Sequence, residues 1–206
     1  LCFGVWGTVG STGRWPEVVN MWELDGWDGL RDNFAHELVG AGAQDPSLSA
    51  WWAEAASLRR GGFDRIVVPE PWSSPIGDLC AAGAGGALYA HELIKVGPGR
   101  ASVLLRGLHE VGRVRAAALG VTLIGGFRVA MADDSEAIAL WSFPDWPTWA
   151  RYEQEWHHGG GMGTWRSALI DIGASFHREL LIDAPLAPLR TGRQPQITDR
   201  LPLDQL

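Results

Sequence analysis

The chain repeats itself, and this restricts its architecture more than any other property of the sequence. Glu17-Val18-Val19-Asn20-Met21-Trp22 returns as Glu136-Ala137-Ile138-Ala139-Leu140-Trp141, and Trp27 returns as Trp146, all at a spacing of 119 residues. Trp52 and Phe63 correspond to Trp165 and Phe176 at a spacing of 113. Gly4-Val5-Trp6 is similar to Gly125-Gly126-Phe127. Three anchors in one order mark an internal duplication, each copy being one structural unit.

The later copy is the easier to read. Residues 87–96 alternate as a strand that puts Tyr89, His91, Leu93 and Lys95 on one face. Gly97-Pro98-Gly99 turns the chain into a helix over 100–119, with Leu104, Leu105, Leu108 and Val111 at helical spacing and Gly120 as its stop. Residues 121–129 and 136–143 form a hairpin about the polar cluster Ala132-Asp133-Asp134-Ser135. Asp145 caps a helix that presents Trp146, Trp149, Ala150 and Glu153; the glycines of 159–163 end it. A second helical stretch holds Trp165, and 176–182 is a last strand. The earlier copy repeats the pattern with strands at 2–8 and 18–24, a helix with Trp27, Leu30, Phe34 and Leu38, a second helix around Trp52, and a strand at 63–68.

The order is β-α-β-β-α-β, the ferredoxin-like arrangement. The predicted fold class is therefore α+β: tandem ferredoxin-like units whose antiparallel sheets pack face to face as an α+β barrel, because each sheet leaves one apolar face bare. The first unit, 1–68, lacks its opening strand and helix, so either about 40 further residues are expected ahead of Leu1 in a longer chain, the preferred reading, or another chain supplies the missing pieces. Residues 69–86, with Pro69, Pro71, Pro75 and a glycine-rich end, read as a linker. The complete unit is 87–184, and the proline-rich 185–206 read as a tail that is extended, wraps a neighbour or is partly disordered.

The strand Leu88-Tyr89-Ala90-His91-Glu92-Leu93, the turn Pro98-Gly99, Leu123-Ile124-Gly125-Gly126-Phe127 and Leu140-Trp141 together resemble the NIPSNAP family of the dimeric α+β barrel superfamily. The resemblance covers 87–183 and, as a truncated copy, 1–68; Gly97 stands where members of that family often carry lysine. It implies ferredoxin-like units paired about an apolar cavity. Relatives include cofactor-free quinone-forming monooxygenases, polyketide cyclases, lactone isomerases and haem enzymes, which share no invariant catalytic motif.

Composition narrows the chemistry. The chain has 206 residues, 46% of them apolar and 20% charged, as in ordinary globular proteins. A net charge of −7 argues against nucleic acid as a partner. No run of about 18 apolar residues would span a membrane. Only Cys2 and Cys80 are present, and with no visible signal peptide a reduced, cytoplasmic protein is expected. Twelve tryptophans against two tyrosines and six phenylalanines imply a bulky core or a flat-walled aromatic pocket.

No cofactor motif emerges. Gly83-Ala84-Gly85-Gly86 precedes a strand and has no helix N-terminus for a phosphate. His158-Gly159-Gly160-Gly161 has no G-x-S-x-G nucleophile to serve. The pairs His36-Glu37, His91-Glu92 and His109-Glu110 lack a second histidine four residues on, so a metal would need His36, His91, His158 and Glu155 gathered by folding. A haem held by one of these histidines is the other alternative. The expected site instead has no metal and no cofactor: His91, Tyr89 and His158 as catalytic residues, with Trp6, Trp22, Phe127, Trp141 and Trp146 holding the substrate. The expected partner is a small hydrophobic or aromatic metabolite, oxygenated, cyclised or isomerised after a histidine forms its enolate or phenolate. The alternative is a non-catalytic ligand-binding or assembly module of the NIPSNAP type. Either is expected to self-associate as a homo-oligomer.

Overall fold

Among the described residues, seven segments rich in β-branched and aromatic residues form strands: β1 (Cys2–Thr8), β2 (Val18–Trp22), β3 (Ile66–Pro69), β4 (Leu88–Lys95), β5 (Thr122–Ala130), β6 (Glu136–Phe143) and β7 (Ser175–Asp183). The computed structural model describes residues 1–38, 46–58 and 60–199. It divides into two compact units, 1–22 with 65–206, and 23–64. The smaller contains α1 (Gly26–Leu38) and α2 (Pro46–Leu58), the latter with Trp51 and Trp52 edge to face. The larger holds all seven strands.

These strands make one curled antiparallel sheet in the order β2-β1-β7-β4-β6-β5-β3. Two facing sheets were expected from the pattern; the described strands are instead continuous, because β1 pairs with β7 and β3 with β5. Edge-to-edge pairing satisfies backbone groups that separate sheets would leave exposed. Between β4 and β5 run α4 (Ala101–Gly107), a π-helical turn (Leu108–Gly112) and α5 (Arg113–Ala117); between β6 and β7 run α6 (Trp146–His158) and α7 (Gly161–Asp171). Asp145 caps α6, its carboxylate accepting from the Thr148 amide at 2.7 Å.

The hairpins β1–β2 and β5–β6 have the same internal register. Cys2, Gly4 and Trp6 face Trp22, Met21 and Val19; Leu123, Gly125 and Phe127 face Trp141, Leu140 and Ile138. Each is interrupted once, at Phe3 and at Ile124. The junctions correspond too: Trp6, Gly7 and Thr8 face Asp183, Ile182 and Leu181, as Phe127, Arg128 and Val129 face Pro69, Val68 and Val67. In both hairpins a glycine makes room for an aromatic ring two residues on. A Cβ at Gly4 would overlap the Trp6 ring, and one at Gly125 would lie 2.8 Å from the Phe127 ring.

Two apolar clusters flank the sheet. The helix-covered face carries Leu88, Ala90, Ile94, Ala139, Trp141 and Phe143, packed with Leu104, Leu105, Tyr152 and Trp156 from the helices. The opposite face carries Phe3, Trp6, Tyr89, Phe127, Ile138 and Leu140. The expected linker 69–86 does more than connect: it forms α3 (Ile76–Ala81), whose Ile76 and Leu79 are buried on this second face. The expected tail likewise supplies α8 (Pro188–Thr191), which buries Leu189 there. Gln194 then clamps the Cys2 backbone, accepting from its N–H at 2.9 Å and donating to its carbonyl at 2.8 Å. The end of that predicted tail, 200–206, lies outside the described residues.

Candidate functional site

Strand alternation puts Tyr89, His91, Leu93 and Lys95 on the face away from α4–α7. At one end of this face, Tyr89 is fully buried and lies 5.8 Å from the Trp6 ring. Its hydroxyl donates to Asp183 Oδ2 at 2.7 Å and accepts from the Gly86 amide at 3.0 Å. Burial, then the bond to Asp183, keep the phenol protonated well beyond its ordinary range, so Tyr89 is a donor already engaged and not a base. Burial pushes the Asp183 carboxyl up to about 6 against the bond from Tyr89, the charge of Arg190 and the nearby Trp6 indole N–H. That N–H lies close enough to lower the proton affinity but misses hydrogen-bond geometry.

At the other end, His91 stands beside Glu179 on β7 and Leu140 on β6. Burial pushes its imidazole down to about 4; Glu179 opposes this, while Arg65 and His177 add to it. Burial therefore favours the neutral imidazole, whose ring nitrogen keeps a free lone pair but holds a proton less tightly than an ordinary histidine. His177 Nε2 lies 2.9 Å from Glu179 Oε1, a polar pair at the border of an apolar cluster in which Ile138 and Phe127 are buried and Leu93 is half-buried. Phe127 meets Phe3 edge to face at 5.9 Å.

The other expected site residues stand elsewhere. Trp141 is buried under the helices, where its Nε1 donates to Glu92 Oε2 at 2.9 Å. Trp22 shares the backbone phase of Trp141 but is 67% exposed. Trp146 is exposed at the start of α6, edge to face with Trp149, and His158 is exposed at its end. The strand pleat is the reason: Trp22 and Trp141 are out of phase with Trp6 and Phe127, so one surface cannot be lined by all four. Of the residues considered for a metal, Glu155 accepts from the Met162 amide at 3.3 Å, and no metal-suited cluster of three His, Cys, Asp or Glu occurs among the described residues.

Sequence reading missed the charges beneath the helices. Glu92, 1% exposed, contacts Arg178 Nε at 2.7 Å, although out of line for a hydrogen bond. Arg178 also grips Glu153 through two bonds of 2.9 Å and lies over the Trp156 ring at 4.6 Å. Burial raises the Glu92 carboxyl, opposed by the Arg178 charge and the Trp141 bond. The signal was present: Glu92 interrupts the apolar phase Leu88, Ala90, Ile94, and Arg178 interrupts Phe176, Leu180. Asp183 gave no comparable signal, since it ends a strand.

Two hollows accompany these features. One of about 350 Å³ lies by Arg151, Gln154 and Glu155; the other, about 530 Å³, runs along β1 and β7 by Val5, Trp15, Val18 and Ile182. Neither is lined by a histidine. No helix among the described residues is long and apolar enough to cross a membrane. Set against protein-family models, curated proteins and solved structures, the chain matches none of them.

Asp183 provides a test of this electrostatic picture. The folded state holds its proton up to about pH 6, whereas the unfolded chain releases it near 3.8. Its contribution is therefore greatest below pH 4 and falls as pH rises to 6, by up to about 3 kcal/mol. His91 works oppositely, its folded-state stability being lost as pH falls from about 6.5 to about 4. Asp183→Asn keeps an oxygen for Tyr89 and removes the charge. Urea unfolding is expected to show a stability advantage of the variant that grows from pH 4 to pH 6. A constant difference across that range would contradict the assignment.

Proposed function

We propose that the chain is a tandem of two ferredoxin-like copies joined edge to edge, and that the sheet face bearing His91 binds a flat hydrophobic metabolite and deprotonates it. Matching registers, matching interruptions at Phe3 and Ile124, and matching junctions support the tandem reading. The observation that carries the chemistry is the place of His91, on the sheet face shared by Tyr89 and Leu93 and between Leu140 of β6 and Glu179 of β7, where burial favours the neutral imidazole. Of the three expected catalytic residues, Tyr89 is committed to Asp183 and His158 lies on an exposed helix end, which leaves His91 as the base. Phe127 and Phe3, buried edge to face, form the apolar wall behind this position, and the His177–Glu179 pair offers a polar border for a phenol or enol oxygen. An enolate or phenolate formed there can react with oxygen or close a ring without an organic cofactor.

The test uses planar two- and three-ring phenols, following tryptophan fluorescence for binding and product formation or oxygen uptake for turnover. His91→Asn is expected to keep binding within a few-fold while turnover falls by about 10²–10⁴. Turnover unchanged in that variant removes the catalytic assignment. A second reading has its own support: Trp6, Tyr89 and Leu140 are fully buried and Phe3, Ile138 and Phe127 nearly so, in one cluster with residues of α3 and α8, so most of this face is packed by the chain itself. Ring binding without turnover in the unaltered protein would identify a non-catalytic module.

A further inference from the structure

One end of the His91 face is shut by the chain's own segment past β7. Residues 184–199 fold onto this face, where α8 packs against β1 and α3 and buries Leu189 in the cluster that holds Trp6, Tyr89 and Phe3. Gly85 lets the segment come close: a Cβ there would overlap the Leu189 carbonyl and lie 3.4 Å from the Tyr89 hydroxyl. The Cys80 thiol of α3 donates to the Pro188 carbonyl at 3.3 Å, and Gln194 holds the Cys2 backbone by its two bonds.

This cover is lightly attached, and what it covers is imperfectly paired. Residues 190–199 are exposed except for Gln194 and Asp199, which are half-buried. Beneath the segment, the Trp6 indole N–H and Asp183 Oδ1 have no hydrogen-bond partner, although Trp6 is 0% and Asp183 8% exposed. Trp6 and Asp183 face each other across β1 and β7; two positions along β1, the buried Thr8 hydroxyl is in the same state. Water or a ligand oxygen reaching this end can pair such groups, so their burial opposes closure. Segments with few buried contacts open at free energies well below that of the whole fold.

Resting on the reading of the His91 face as a ligand site, we infer that residues 184–199 are an autoinhibitory strap: α8 occupies the aromatic end of that face, and its release admits a planar ligand over Trp6 and Tyr89. His91 stands two residues along β4 from Tyr89, about 7 Å at the strand rise. A ligand of two or three fused rings therefore covers both positions, with one edge at His91 and an oxygen at the unpaired Trp6 N–H. Closed, the face is packed core; open, it is a binding floor. With the open form in the minority, the ligand's affinity is reduced by the open fraction, so loosening the strap raises affinity by the factor by which it raises opening.

The two cysteines report the opening. Cys2 is 7% exposed at the Gln194 clamp and Cys80 is bonded to the strap at Pro188; burial raises both thiols, which slows their reaction while the strap is shut. Gln194→Ala removes the clamp, and Leu189→Ala removes most of the side chain that fills the face. Each is expected to speed maleimide labelling of the two thiols on the order of 10-fold, followed residue by residue by mass spectrometry. Each should also tighten binding of a planar two- or three-ring phenol by the same factor, followed by tryptophan fluorescence. Unchanged hydrogen exchange in β4 and β6 will show that the variants keep their fold. Faster labelling with unchanged affinity overturns the inference, since the strap then lies outside the ligand's path, and it leaves the His91 reading in place. Labelling unchanged in both variants overturns it as well. Faster labelling with no ring bound by any form removes the His91 reading itself, and the inference with it.

Discussion

Arg178→Ala is expected to destabilise the protein by about 3–5 kcal/mol, because it leaves the Glu92 carboxylate buried without its cation. The loss extends beyond one ion pair. Arg178 also holds Glu153 on α6 and lies over Trp156, so β7 loses its polar tie to the helix above it. A fall in urea midpoint at unchanged denaturant dependence would measure the effect. Replacing both charges, as Glu92→Leu with Arg178→Met, should recover most of the loss, since apolar side chains of similar volume need no counter-charge. Recovery will be incomplete, because the Trp141 indole N–H then has no acceptor, at about 1–3 kcal/mol. A single variant costing under about 1 kcal/mol would mean that water reaches Glu92.

Trp6→Ala is the second large effect, at about 3–5 kcal/mol. The ring is fully buried, lies across Gly4 and packs against Tyr89. With glycine beneath it there is no side chain on the strand to fill the space, so a cavity remains on a rigid sheet. Trp22→Ala, in a residue 67% exposed, is expected to cost far less. Thermal or urea unfolding of the two variants distinguishes them directly. Comparable losses would show that Trp22 is covered in solution, and a small loss at Trp6 would show that α3 and α8 do not hold the second face closed.

The order of elements was legible because local rules govern it. Alternation marked β4, helical spacing marked α6, and Asp145 capped that helix as its position suggested. The helix expected over 100–119 acquired a π-helical turn at Leu108–Gly112. There, Gly107 and Gly112 lie close beneath Trp165: a Cβ on either would come within 3.2 Å of that ring. The strand expected from residue 63 begins at Ile66, with Phe63 left exposed. Boundaries shift in this way because tertiary neighbours decide where a ladder starts.

Which indoles belong together was not legible. Trp6 and Trp141 are both apolar, both buried and both in strands, yet they lie on opposite faces, and a repeat in sequence does not say which. The sheet decided that through its registers, together with two segments of little periodicity that supplied α3 and α8.

By itself, then, the amino-acid order determined most of the strands and helices of residues 87–183 and the shared face of Tyr89 and His91, both consequences of spacing within a few residues. The tertiary structure alone decided the single sheet, the tie from Glu92 through Arg178 to Glu153, the bond from Tyr89 to Asp183 and the burial that lowers the proton affinity of His91. These depend on groups far apart in the chain and on how much water reaches them, quantities that no local pattern carries.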